Sequence, residues 1–136
     1  YISENVKVPN NRPTNLPNLW VSQSTDFKYP EYLDFQWEKQ MTISSVEIIF
    51  DSSSEFMFPR SPKTFKTKII SSLVKDYNLY YLNSFGHSKK ILEVRNNSRG
   101  FRIHEFEPVH TNHLELEIVA SHGINRAQLY QFRAFK

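Results

Sequence analysis

Leu114-Glu115-Leu116-Glu117-Ile118 decides the fold. Apolar and acidic residues alternate there, the signature of a strand with one dry face and one wet face. The pattern recurs in both directions along the chain. Leu33, Phe35 and Trp37 share one face of residues 32–37, with Asp34 and Gln36 on the other. Val46, Ile48 and Phe50 do the same over residues 43–50, and Tyr77, Leu79 and Tyr81 over residues 77–82. Ile43 is out of phase with Val46, which predicts a bulge near Ser44-Ser45; Phe132 is out of step with Leu129, which predicts another in the last strand.

Further strands are expected over residues 2–8, 90–95, 101–106, 114–120 and 127–135, with a short apolar segment at Leu19-Trp20-Val21. Turns are expected at Glu38-Lys39-Gln40, around Gly86 and at residues 96–100, with Pro108 interrupting the strand that precedes residue 114. Residues 9–18 and 23–30 read as loops, and residues 64–70 as strand or irregular edge. No helical periodicity competes. About eight short strands without a repeat give an all-β, antiparallel jelly-roll sandwich. Leu33, Phe35, Val46, Ile48, Leu79, Leu114, Leu116, Ile118, Leu129 and Phe132 are its expected core.

Composition agrees. The 136 residues include eleven Phe, seven Tyr and two Trp, side chains that suit pleated surfaces, and suffice for a single domain over 1–136. With only three Gly, some left-handed turns must rest on Asn. The net charge of +3 comes from 17 Lys and Arg scattered among acids, without the clustered stripe that nucleic-acid binding needs. There is no Cys, which excludes disulfides, thiol catalysis and Cys-ligated zinc. No apolar run approaches the roughly 20 residues of a transmembrane helix. The start at Tyr1, without Met, suggests a piece of a larger protein.

The chain resembles the discoidin-type, or coagulation factor 5/8 type C, domains, which are galactose-binding-like sandwiches. The resemblance is carried in order by Asn18-Leu19-Trp20-Val21-Ser22, Pro30-Glu31-Tyr32-Leu33-Asp34-Phe35 and Met41-Thr42-Ile43-Ser44-Ser45-Val46. It continues through Leu73-Val74-Lys75-Asp76-Tyr77, Val94-Arg95-Asn96-Asn97, Phe106-Glu107-Pro108-Val109, Leu114-Glu115-Leu116 and Ala127-Gln128-Leu129-Tyr130-Gln131-Phe132. Within that family the chain is similar to accessory modules of larger bacterial enzymes, including the C-terminal region of FAD-dependent oxidoreductase-like proteins. The resemblance implies a non-catalytic module that binds glycan through loops at one end of the sandwich. It equally admits a structural module packed on a neighbouring domain of the parent polypeptide, an oxidoreductase-like or glycoside hydrolase domain. It further implies an extracytoplasmic location, and the module is expected to be monomeric in isolation. Family members often hold calcium near the termini with an acid in the last strand; Gln131 stands there, and Asn11 and Asn18 offer only neutral oxygens, so no metal or other cofactor is expected.

Candidate ligand residues are therefore sought in loops. Phe27, Tyr29 and Phe85 stand among polar residues, where no strand phase explains them, and could stack on a pyranose or fold back as caps. Arg12 and Arg95 offer a fork of donors, and Asn97 a donor and an acceptor, although Asn96-Asn97 also suits turn chemistry. Trp20 and Trp37 read as core. His87, His104, His110, His113 and His122 show no zinc-site spacing and read as solvated or hairpin-packed. Asp34, Glu47, Glu115 and Glu117 project from wet strand faces, a poor setting for a tuned acid or base, so no catalytic group is expected.

Overall fold

The computed structural model describes residues 6–7, 19–22, 28–52 and 69–136. These form six strands: β1 (Trp20–Val21), β2 (Glu31–Phe50), β3 (Val74–Leu82), β4 (Ser88–Val94), β5 (Phe101–Ser121) and β6 (Gln128–Phe135). All pairings are antiparallel, in the order β1-β6-β2-β5-β3-β4. Of the expected strand over residues 2–8 only Val6 and Lys7 are described, and they take 3-10 conformation instead of strand, with Val6 buried. The loops at 9–18 and 23–27, and most of the segment at 64–70, also lie outside them.

β2 and β5 carry the architecture. They pair from Glu31↔Ile118 to Ile49↔Phe101, interrupted by two register shifts. At the first, Gln36 faces His113 and Met41 faces Thr111, so the extra residues, Glu38-Lys39-Gln40 among them, bow out of β2. The expected turn is a bend within one strand. At the second, Ile43 faces Val109 and Ser45 faces Glu105, and the surplus lies on β5 at Phe106-Glu107-Pro108. Pro108 does not end its strand: a bulge absorbs the residue that cannot donate to the ladder. The bulge foreseen at Ser44-Ser45 is this one, and it lets both Ile43 and Val46 face inward. β6 shifts register between Phe50↔Leu129 and Ile49↔Gln131, which places Leu129 and Phe132 on the same dry side, as their spacing predicted.

The bends fold one sheet into two facing layers. Residues 31–36 of β2, 114–121 of β5, β3 and β4 make the first layer. Residues 41–50 of β2, 101–110 of β5, β6 and β1 make the second. Rings bridge them: Phe35 stacks on Phe132 with centroids 4.0 Å apart, and Phe50 tilts against Tyr77 at 5.0 Å. The expected eight short strands are thus eight segments, four per layer, supplied by six continuous strands. All ten predicted core residues are buried, joined by Trp20, Ile43, Phe50, Val74 and Tyr77. Trp37 packs against this core from its edge.

One polar pair crosses the core margin. The Tyr77 hydroxyl lies 2.8 Å from His104 Nε2. Burial pushes the phenol up to about 12, against the opposing effect of Arg102. Burial and the Arg102 charge push the imidazole below its ordinary value. Both groups are therefore held neutral, as an enclosed pair must be.

Leu116 is fully enclosed between the layers. Leu116→Ala should cost about 2–5 kcal/mol in urea unfolding. A loss below about 0.5 kcal/mol would place the side chain outside the core.

Candidate functional site: the loop end of the sandwich

Both ends of β5 converge on one end of the sandwich, because its two halves run back over each other. Four connections meet there. The Tyr29 hydroxyl donates to Ile124 O at 3.2 Å. Ile124 N donates to Ser71 O at 3.2 Å, and His122 N to Leu73 O at 3.0 Å. His122 Nε2 reaches Asn97 O at 2.6 Å. Ser121 Oγ and Ile124 O share a close hydrogen bond that tightens the turn between them. Gly123 is required by this closure: a Cβ there would sit 2.9 Å from Ser71 Cβ.

Asn97 is the fastening point. It is 2% exposed. Its amide donates to Val74 O at 2.8 Å and to Arg99 O at 3.0 Å, and its side-chain oxygen accepts from Arg99 N at 3.2 Å. Its backbone N–H donates to Lys75 O at 2.8 Å. The residue before it, Asn96, takes the left-handed conformation at φ 57° and donates its N–H to Asp76 Oδ1 at 2.8 Å. The turn chemistry foreseen for Asn96-Asn97 is what the pair does; Asn97 spends its polar atoms on its own chain.

The six candidate residues do not form one cluster. Tyr29 and Asn97 stand at the loop end. Arg95 turns onto the outer face of the first layer, where Nη1 donates to Val94 O at 2.9 Å, Asn78 Oδ1 at 3.0 Å and Tyr77 O at 3.3 Å. Its Nη2 lies 3.3 Å from Glu93. Phe85 lies at the opposite end of β3, at the tip of the β3–β4 hairpin, and is 83% exposed. Asn83 Oδ1 accepts from both Phe85 N (3.0 Å) and His87 N (2.9 Å), which closes the tip without using the ring. A nine-residue strand separates Phe85 from Asn97, roughly 30 Å at the usual rise. Arg12 and Phe27 lie outside the described residues.

Glu31 belongs to this end and was not singled out from the sequence. It opens β2 opposite the buried Ile118, in phase with Leu33 and Phe35, so its carboxylate points toward the dry side at the mouth of the sandwich. Oε1 is buried and finds no hydrogen-bond partner among the described residues. Such an atom normally has one. Tyr29 feels it: burial first, and the Glu31 charge after it, raise the phenol above its ordinary value despite an opposing contribution from Ser121. The readable signal was the phase itself, an acid at an odd position in a strand whose odd positions are apolar.

Two further histidines have structural partners. His113 Nε2 lies 2.6 Å from Asp34 Oδ1, and Thr42 Oγ1 lies 3.3 Å from His110 Nδ1. Among the described residues no three His, Asp or Glu side chains converge as metal ligands would. With its amide oxygen and nitrogen exchanged, Gln131 accepts from Arg133, 2.6 Å from Nε and 2.9 Å from Nη2.

The fold is that of the galactose-binding-like β-sandwiches seen in family 32 carbohydrate-binding modules. The module from Streptococcus pneumoniae EndoD matches with a TM-score of 0.67 and 16% identity, over 88% of this chain and 75% of that one. The family 32 module of C. perfringens NanJ, solved with galactose, matches with a TM-score of 0.70 and 13% identity, over 98% and 84%. Chitosan-binding module 1 from a Paenibacillus chitosanase/glucanase matches with a TM-score of 0.73 and 9% identity, over 99% and 85%. No protein-family model matches the chain, and no curated protein does.

Asn97→Ala removes three side-chain hydrogen bonds, one buried and two partly buried, from Val74 O, Arg99 O and Arg99 N. It should lower stability by about 1–3 kcal/mol in chemical denaturation. Unchanged stability would return Asn97 to the pool of ligand residues.

Proposed function

We propose that this domain is a non-catalytic carbohydrate-binding module of a larger extracytoplasmic bacterial protein. Its glycan sits at the loop end, against Tyr29 and Glu31. The observation that carries this reading is the buried Oε1 of Glu31, without a hydrogen-bond partner among the described residues and close enough for its charge to act on the Tyr29 phenol, at the mouth of a sandwich whose fold is shared with modules solved with sugars bound. A sugar hydroxyl is the donor that oxygen lacks, and a ring next to a carboxylate is how proteins commonly hold a pyranose: the ring covers the apolar face and the acid reads the hydroxyls. The described connections at residues 71–73, 97 and 121–124 are tied to one another, which lowers the ordering needed there on binding. The module carries no catalytic role, takes no nucleic acid and acts as a monomer.

The rival reading is a structural module packed on a neighbouring domain of its polypeptide. One observation favours it: Phe101, Ile103 and Phe135 are exposed on the outer face of the second layer, where each faces a β2 residue across the ladder.

An NMR titration separates the two. Galactose, GalNAc-β-1,3-galactose and uronic acids should be tested in turn against the isolated domain. One of them should shift the amides of Tyr29, Glu31 and Ile124 saturably, with a Kd near millimolar to high micromolar, about −4 to −6 kcal/mol. Glu31→Gln should weaken that binding by tenfold or more. Silence across a broad glycan panel would overturn the glycan reading and leave the structural one.

A further inference from the structure

The outer face of the first layer holds a second arrangement, away from the loop end. Two cross-strand rows lie side by side there. One is Tyr32–Glu117–Asn78 and the next is Asp34–Glu115–Tyr80, each read across β2, β5 and β3. Glu117 is the centre. Its Oε1 accepts from the Tyr32 hydroxyl at 3.1 Å, and its Oε2 from Asn78 Nδ2 at 2.6 Å and the Tyr80 hydroxyl at 3.0 Å. A carboxylate has about four acceptor sites, so among the described residues one remains, on Oε1 beside Tyr32. Each tyrosine has spent its proton on Glu117 and offers the outside only lone pairs and a ring.

The two tyrosines differ in one respect. Tyr80 already carries a cation: the Lys90 ammonium lies 5.8 Å from its ring centroid while bonded to Glu93 at 2.7 Å. That is within the range at which an ammonium is attracted to a ring face. Tyr32 is 49% exposed and has no such cation over it among the described residues. It is instead bordered by carboxylates: Glu117 directly opposite, Asp34 two residues along its own strand, and Glu115 on the diagonal. Asp34 and Glu115 face each other directly, a like-charge pairing that costs stability in a sheet. His113 offsets the Asp34 side. Burial, and next the Asp34 charge, raise the Glu115 carboxyl above its ordinary value, against an opposing effect of His113. Burial acts on Glu117 in the same direction, but its three donors outweigh it and keep it ionised. This local excess of negative charge stands on a chain of net charge +3.

We propose that Tyr32, with Glu117 and Glu115, forms a second binding site, for the ammonium-bearing pyranose of a glycan containing unacetylated amino sugar. The ammonium takes over Tyr32 the place that Lys90 takes over Tyr80, against the free lone pair of Glu117 and near Glu115. The apolar face of the sugar covers the ring. This site lies on a sheet face rather than among the loops and stands independently of the loop-end reading.

The test is an NMR titration at mildly acidic pH with three probes. These are a glucosamine tetrasaccharide, its fully N-acetylated counterpart, and lysine methyl ester, which supplies the ammonium without the pyranose. The amides of Tyr32, Glu115 and Glu117 should shift saturably with the first, and at least tenfold more weakly with the other two. Tyr32→Ala, a change at an exposed position, should weaken the response to glucosamine tetrasaccharide at least tenfold. Tyr29→Ala should leave it intact. Glu115→Gln, which keeps shape and removes charge, should weaken it severalfold with the melting temperature held or raised. Equal binding of the acetylated tetrasaccharide, equal binding of lysine methyl ester, or full response in Tyr32→Ala each overturns the proposal. Because Tyr29→Ala separates the two surfaces, failure here and failure at the loop end are distinguishable.

Discussion

The structure depends on β2 and β5 remaining paired while both bend. Each crosses from one layer to the other, so a single ladder supplies half the segments of a two-layered core. The bends are made by surplus residues placed alternately: on β2 at Glu38-Lys39-Gln40, on β5 at Phe106-Glu107-Pro108. An inserted residue increases twist and turns a strand out of its plane. Once turned, the halves are held by rings that meet between the layers, Phe35 stacked on Phe132 and Phe50 tilted against Tyr77. Straighten either strand and those rings would have no partner.

The loop end follows from the same geometry. Doubling β5 back brings residue 101 near residue 121, so the connections entering and leaving that strand meet. Asn97 can then hold Val74 O, and His122 can hold Asn97 O. The end is a product of the core, which is why its polar groups are mostly committed to one another. Glu31 Oε1 stands apart in having no partner among the described residues. The outer face of the first layer has a different logic. There the polar groups are also joined, through Glu117, but the joining leaves acceptors and rings outward and concentrates negative charge around Tyr32.

The core was legible because period-two patterning reports which face is dry, and both register shifts were legible because phase breaks where a ladder slips. Ile43 against Val46 and Leu129 against Phe132 are those breaks. Strand continuity was not legible. Glu38-Lys39-Gln40 and Pro108 carry turn chemistry whether they end a strand or bend it, and only the partner strand decides. The site was the least legible part. Arg95, Asn97 and Phe85 were chosen as loop residues with suitable groups, yet a loop residue's neighbours come from strand topology. The hairpin sends Phe85 to the far end, and the return of β4 to the start of β3 consumes Asn97 and Arg95. Glu117 looked like one more wet-face acid, because alternation shows which face a residue takes and says nothing about the tyrosines beside it.

The central claim is that folding the β2–β5 ladder over builds a fastened loop end. Native-state hydrogen exchange tests it most directly. The amides of Asn97, His122 and Ile124 are bonded to Lys75 O, Leu73 O and Ser71 O across the chain. They should exchange slowly, with opening free energies within about 1–2 kcal/mol of the core strands. Exchange at the rate of an open loop, while Leu116 and Ile48 remain protected, would contradict it.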